Sequence, residues 1–261
     1  MKTKGRRITV LLILCAAALL AVWGAKPLYY LYRDVAYYFG ERTKAEQIVK
    51  AYAEQQRISY GRYPEDLIEL LETNPETMDF VLDYPFREEM DLDLSGYSRD
   101  TVPLFLQWDL MWGYEKYGSG CIGQTGCGPT CLAMAGYYLT GDDRFNPKAM
   151  ADFASENRYY ASGYGSSWTL ISEGAGKLGL TATELPLVKK KMVDAVEAGQ
   201  PVILALGKGD FTSSGHYIVL TGWLDGFFTV NDPNSRIRSD RLWTYEELEG
   251  QIRNIWAIAL Q

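Results

Sequence analysis

The spacing of apolar positions changes period along the chain. An uncharged apolar run at 8–24 comes first. Within 41–56, Ala45, Ile48, Val49 and Tyr52 then recur at the three- and four-residue spacing of one helix face. Pro64, Glu65 and Asp66 open a second helix, and Asn74-Pro75 a third that carries Phe80, Val81 and Leu82. The stretch 88–100 is acidic and turn-rich and marks a boundary. Beyond it, 127–139 reads as an apolar helix, with Pro129 in the first turn, where the ring is tolerated. Further helices are predicted at 147–156, 168–178 and 188–198. The period then shortens to that of strands at 201–206, 216–221 and 227–230, the last two joined by the hairpin signal Asp225-Gly226. A helix over 244–253 and a strand over 255–260 close the chain. Helices first and an antiparallel sheet afterwards make an α+β fold.

Lys2, Lys4, Arg6 and Arg7 precede the 8–24 run. At about 17 residues, that run is at the short limit for crossing a ~30 Å hydrocarbon core. A signal-peptidase cut before Lys26 would place Trp23 at a position that wants a small residue. Leu14 ahead of Cys15 is a similarly poor context for lipidation. Tyr29, Tyr30, Tyr32, Tyr37 and Tyr38 beside Lys26 fit an interfacial aromatic belt. The run is therefore expected to remain as a single-pass membrane anchor, with the basic flank inside the cell and the rest outside. Secretion after signal cleavage is the alternative. The expected organisation is an anchor over 1–25, a helical juxtamembrane region and linker over 26–100, and one larger domain over 101–261.

Composition narrows the function. The 261 residues carry a formal net charge of −7, which argues against a nucleic-acid partner, whose phosphates demand clustered Lys and Arg. Four cysteines are too few for a disulfide-built scaffold, and they lack the paired Cys/His spacing of a zinc site. No metal and no cofactor are expected.

Histidine occurs once, at His216, where an apolar strand begins. Cys127 lies earlier, between Gly126 and Gly128, with Pro129 opening the helix behind it. A thiol at a helix N-terminus beside an imidazolium gains thiolate character, and flanking glycines let a carbonyl approach the backbone. The Cys127 amide is also placed to donate to an oxyanion. His216 needs an acceptor to fix its tautomer. Asp232, at the end of the next strand, is the expected one, with Asn231 as the fallback. Gln107 and Gln124 are the candidates for a second oxyanion donor. Gln107 is preferred because three residues leave Gln124 little reach back over the thiol. Cys121 and Cys131 either pair across about ten residues or stay as independent thiols. Trp108, Trp112 and Trp168 either line a cleft or pack in the core.

A cysteine at a helix mouth, then a strand-borne histidine, then an Asp or Asn resembles the chain order of papain-like cysteine hydrolases. The run 102–259 resembles stand-alone members of the bacteriocin-processing (double-glycine, C-39-like) cysteine peptidase family of Gram-positive bacteria. The residues that carry the likeness are Val102-Pro103, Gln107-Trp108-Asp109, Gly126-Cys127-Gly128-Pro129-Thr130, Gly215-His216-Tyr217 and Asn231-Asp232-Pro233-Asn234. The resemblance implies a papain-like fold, with Cys127 as nucleophile, His216 as base, Asp232 as orienter and Gln107 as oxyanion glutamine. Transporter-linked members of that family carry exporter and ATP-binding domains, which 1–261 lacks, so leader processing does not transfer with the likeness. The function expected is a membrane-anchored extracellular peptidase acting on a peptide or protein. An amidase, transpeptidase or peptidoglycan-crosslink hydrolase on the same fold is one rival, and a catalytically silent surface binding module is another.

Overall fold

A computed structural model describes residues 45–161 and 165–261. The 8–24 segment expected to anchor the chain lies outside them. Among the described residues, no helix is long and apolar enough to cross a membrane. The described residues divide into two compact units, one ending at Val81 and the other running from Leu82 to Gln261.

In the first unit, helix α1 (Ala45–Gln56) buries Ala45, Val49 and Ala53, and α2 (Glu65–Thr73) buries Leu67 and Leu71. These are the four-residue steps of one helix face. Glu72 Oε2 accepts from the Ala45 amide at 2.7 Å, closing α2 onto the start of α1. A short helix, α3 (Met78–Asp83), carries the chain across the boundary between the units.

The second unit is α+β, as the change of period predicts. Two small hairpins, β1 (Lys116–Tyr117) with β2 (Gly120–Cys121) and β3 (Tyr160–Ala161) with β4 (Gly165–Ser166), flank its helical part. Between them run α4 (Ile122–Thr125), α5 (Cys127–Thr140) and α6 (Pro147–Glu156). The 168–178 helix expected from spacing is two short ones, α7 (Thr169–Ser172) and α8 (Gly174–Lys177), broken at Glu173 ahead of two glycines. Strand β5 (Leu180–Glu184) comes next and is an element the hydrophobic pattern did not reveal. Then follow α9 (Lys189–Glu197), β6 (Val202–Leu206), β7 (His216–Leu224), β8 (Phe227–Asn231), α10 (Arg236–Ser239), α11 (Tyr245–Glu249) and β9 (Ile252–Leu260). The closing strand starts three residues earlier than its sequence pattern suggests, and α11 is correspondingly shorter.

The five long strands form one antiparallel sheet in the order β5-β9-β6-β7-β8. Both faces of its centre, β6 and the first half of β7, are buried. Ile203, Ala205, Tyr217 and Val219 point into one apolar cluster with α5, while Val202, Leu204, Ile218 and Leu220 point into another with α9 and α11. This explains why 201–206 reads as an unbroken apolar run: alternate residues serve opposite cores. Helix α5 buries ten consecutive residues, Gly128 to Tyr137, so it is apolar on every side. It stops at Gly141, whose φ of 67° is the left-handed conformation of a helix C-terminus. The β7–β8 turn has Asp225 at φ 49° and Gly226 at φ 92°, the positive pair of a tight hairpin.

Candidate active site

The hairpin brings two of the predicted residues together. Val219 pairs with Asn231, and extending that register sets Asp232 opposite Ile218. His216 therefore lies one diagonal step away, on the same face. Its Nε2 and Asp232 Oδ1 are 2.7 Å apart, and both residues are buried. Asn231, the fallback orienter, faces elsewhere: its Nδ2 donates to the carbonyls of Val102 and Pro103, each at 2.9 Å.

Cys127 is the first residue of α5, so its N–H has no acceptor within the helix. Its side chain is close enough to His216 to raise the pKa of the imidazole. Because Nε2 is taken by Asp232, Nδ1 is the ring nitrogen left for sulfur. Of the three described thiols, Cys127 is the part-exposed one, whereas Cys121 and Cys131 are buried and form no disulfide with each other. Cys131 lies one turn further along the same helix. Burial first, then the charges of Cys127 and Asp232, push its thiol well above the ordinary value. A thiol so held stays protonated and is a poor nucleophile.

The electrostatics follow from burial opposed by charge. Burial alone lowers the pKa of His216, but the Asp232 carboxylate, by charge and hydrogen bond, and then Cys127 outweigh it and raise it to about 10. Burial alone favours a neutral Asp232, but His216 and then Arg238 outweigh it and hold the carboxyl below its ordinary range. His216 is thus imidazolium across the neutral range, and Asp232 is ionised.

Gln107 is buried and ties two parts of the site together. Its N–H donates to Pro233 O at 2.7 Å, and its side-chain Nε2 donates to Gly123 O at 2.9 Å. It therefore bridges the turn after Asp232 and the helix just before Cys127, while its Oε1 is buried with no hydrogen-bond partner among the described residues. Gln124 turns the other way, its Oε1 accepting from the Cys121 amide at 3.0 Å and the Cys121 thiol at 3.3 Å. Trp108 Nε1 donates to Asn234 O at 3.2 Å, Trp112 is fully buried, and Trp168 is half exposed.

Two further groups were not visible from sequence. Arg238 Nε donates to Asp232 Oδ2. It sits in a polar turn, where the only signal was a basic residue soon after Asp232. The other group is a buried cluster of hydroxyls behind the nucleophile. Tyr117 OH and Ser166 Oγ are 2.7 Å apart, and Tyr217 OH donates to Ser166 O at 3.2 Å. Ser166 presses on the first turn of α5 so closely that a Cβ on Gly128 would lie 2.6 Å from its Oγ. Glycine after the cysteine is therefore a packing requirement as well as an opening for substrate.

A family model matches residues 99–260, more than half of the chain. Solved structures of low identity also align. One is the peptidase domain of Streptococcus ComA, a bi-functional ABC transporter involved in a quorum-sensing pathway. It is 20% identical, covers 57% of this chain and 99% of its own, and has a TM-score of 0.42. Another, described as a C39-like peptidase from Bacillus anthracis, is 17% identical, covers 62% of this chain and 96% of its own, and has a TM-score of 0.35. No curated protein matches. The matched region spans Gln107, Cys127, His216 and Asp232, and the chain belongs to the Peptidase_C39 like family.

Proposed function

We propose that the chain is a cysteine peptidase that hydrolyses peptide bonds through Cys127, His216 and Asp232. The observation that carries this reading is His216 set between the Asp232 carboxylate and the part-exposed Cys127 at a helix N-terminus. The Cys127 sulfur attacks the scissile carbonyl while the charge on its oxygen is taken by the Cys127 N–H and the second N–H of Gln107 Nε2. His216 Nδ1 passes its proton to the departing amine, leaving a thioester. The same nitrogen then deprotonates water, which releases the acid and restores the thiol pair. Asp232 keeps Nε2 protonated and the ring oriented throughout. The test is hydrolysis of a peptide library by the purified chain, with Cys127→Ala as the control. Equal turnover by the variant, or covalent labelling of wild type without turnover, removes the peptidase reading.

We further propose that the 8–24 segment anchors the chain and that the catalytic region faces outward. The basic flank Lys2, Lys4, Arg6 and Arg7 supports this orientation. Protease added to intact cells then digests the catalytic region and leaves a membrane-held stub. Full protection reverses the orientation, and recovery of a soluble form beginning near Lys26 replaces the anchor with a cleaved signal.

A further inference from the structure

The Cys127, His216 and Asp232 constellation leaves one strong contact unexplained. The chain leaving Asp232 turns at Ser235, forms the single turn α10 and returns Arg238 to the carboxylate, where Nε donates to Oδ2. Three hydrogen bonds fix that return. Ser235 Oγ accepts from Arg238 N at 3.0 Å, Ser239 Oγ accepts from Asp232 N at 2.9 Å, and Trp243 Nε1 donates to Arg238 O at 3.0 Å. The guanidinium also lies 5.9 Å from the ring centre of Phe211, in the loop that leads to His216. Asp232 is fully enclosed, and the Arg238 side chain is 22% exposed.

We propose that Arg238 is a positioning residue of this site, holding the second oxygen of Asp232 so that the first stays on His216. Its consequence for turnover rests on the peptidase reading, but its effect on the His216–Cys127 pair does not. A carboxylate enclosed by protein needs both oxygens satisfied, and one left bare either rotates or takes a proton. Oδ1 has two donors, His216 Nε2 and the Asn234 amide at 2.8 Å, whereas Oδ2 relies on the guanidinium. The titratable and charged groups facing Asp232 are His216 on β7, Cys131 on α5 and Arg238 itself. Removing Arg238 takes away one of the two cations among them. The carboxyl then titrates closer to the working range, and each proton it takes deprives His216 of its acceptor. Lysine preserves charge without the fixed N–H of the guanidinium fork.

The test is alkylation by iodoacetamide against pH, followed at Cys127 by peptide mass in the full chain, which needs no substrate. Arg238→Gln is expected to move the acid limb of that profile to higher pH by about one pH unit, and Arg238→Lys to leave it near wild type. With a peptide substrate, kcat in Arg238→Gln falls about tenfold, with KM changed by less than about twofold. An unmoved acid limb in folded Arg238→Gln overturns the proposal. If that variant does not fold, Arg238→Lys decides: a wild-type limb with lowered kcat supports positioning, and a variant matching wild type in both overturns it. A wild-type chain that cleaves no peptide, while the limb moves in Arg238→Gln, removes the peptidase reading and leaves the Arg238 assignment standing.

Discussion

The hairpin wall of the site and its helix wall are built on opposite plans. On the hairpin wall, both carboxylate oxygens and both backbone polar atoms of Asp232 are bonded: to His216, Asn234, Arg238, Ser239 and Ser235. On the helix wall, Cys127 is part-exposed, its N–H lacks an acceptor within α5, and Gln107 Nε2 uses one of its two N–H groups on Gly123 O. One wall is fixed before substrate arrives. The other keeps hydrogen-bonding capacity in reserve, which is what a site needs where charge develops during reaction. Orientation and reactivity are thus assigned to different elements of the fold.

If that division holds, the two walls fail differently. His216→Ala is expected to give the largest loss, on the order of a thousandfold or more in kcat, and to abolish fast alkylation of Cys127 in mildly acidic buffer. Gln107→Ala is expected to lower kcat about a hundredfold while the pH dependence of alkylation stays that of wild type. Parallel measurement of both quantities separates the walls. A Gln107 variant whose alkylation profile also shifts would mean that the oxyanion side and the proton-transfer side are one unit.

The hairpin wall was the more legible in the sequence, for a physical reason. Asp225-Gly226 fixes the turn, the turn fixes the register, and the register places His216 one diagonal step from Asp232. The α6 helix was equally plain, the predicted 147–156 being the observed Pro147–Glu156. What escaped notice depends on contacts distant in sequence. Strand β5, Leu-Thr-Ala-Thr-Glu, has little apolar content and is defined by pairing with β9 at the far end of the chain. The predicted helix across Glu173 was a continuous pattern that two glycines interrupt. Arg238 looks like any solvated charge until the turn folds it back onto Asp232. The spacing of Cys121 and Cys131 left a disulfide open, but Cys131 points into the apolar core around α5 and forms no disulfide with Cys121.

A smaller effect separates the oxygens of Asp232 from its charge. Asp232→Asn keeps an amide oxygen that accepts from His216 Nε2, so it is expected to retain measurable turnover. Asp232→Ala leaves the Arg238 guanidinium and the imidazolium without their shared partner, and is expected to lose at least about tenfold more. Equal turnover in the two variants would assign the orienting role to the backbone around His216, not to this side chain.

The smallest expected effect is on stability, and pH reads it. The folded-state pKa of His216, about 10, lies above its ordinary value of 6.5, so the folded chain holds this proton more tightly than the unfolded chain does. The stabilisation is therefore complete below about pH 6.5 and is lost as pH rises towards about 10. Asp232 has the opposite sign. Its folded value lies below the ordinary 3.8, so its contribution is present above that value and lost as pH falls below it. The pair is thus most stabilising between about pH 4 and 6.5, in the mildly acidic range where both partners are charged in either state. His216→Gln removes the titration while keeping a polar side chain of similar size. The difference in melting temperature between wild type and this variant is expected to be flat from about pH 4 to 6.5, then to shrink steadily as pH rises to 10. Thermal unfolding across that range checks it. A difference that stays constant through pH 10 would show that the charge on His216 is no more favoured in the folded chain than in the unfolded one. The hairpin wall would then orient a neutral imidazole, and the thiol would have to be activated by the helix wall alone.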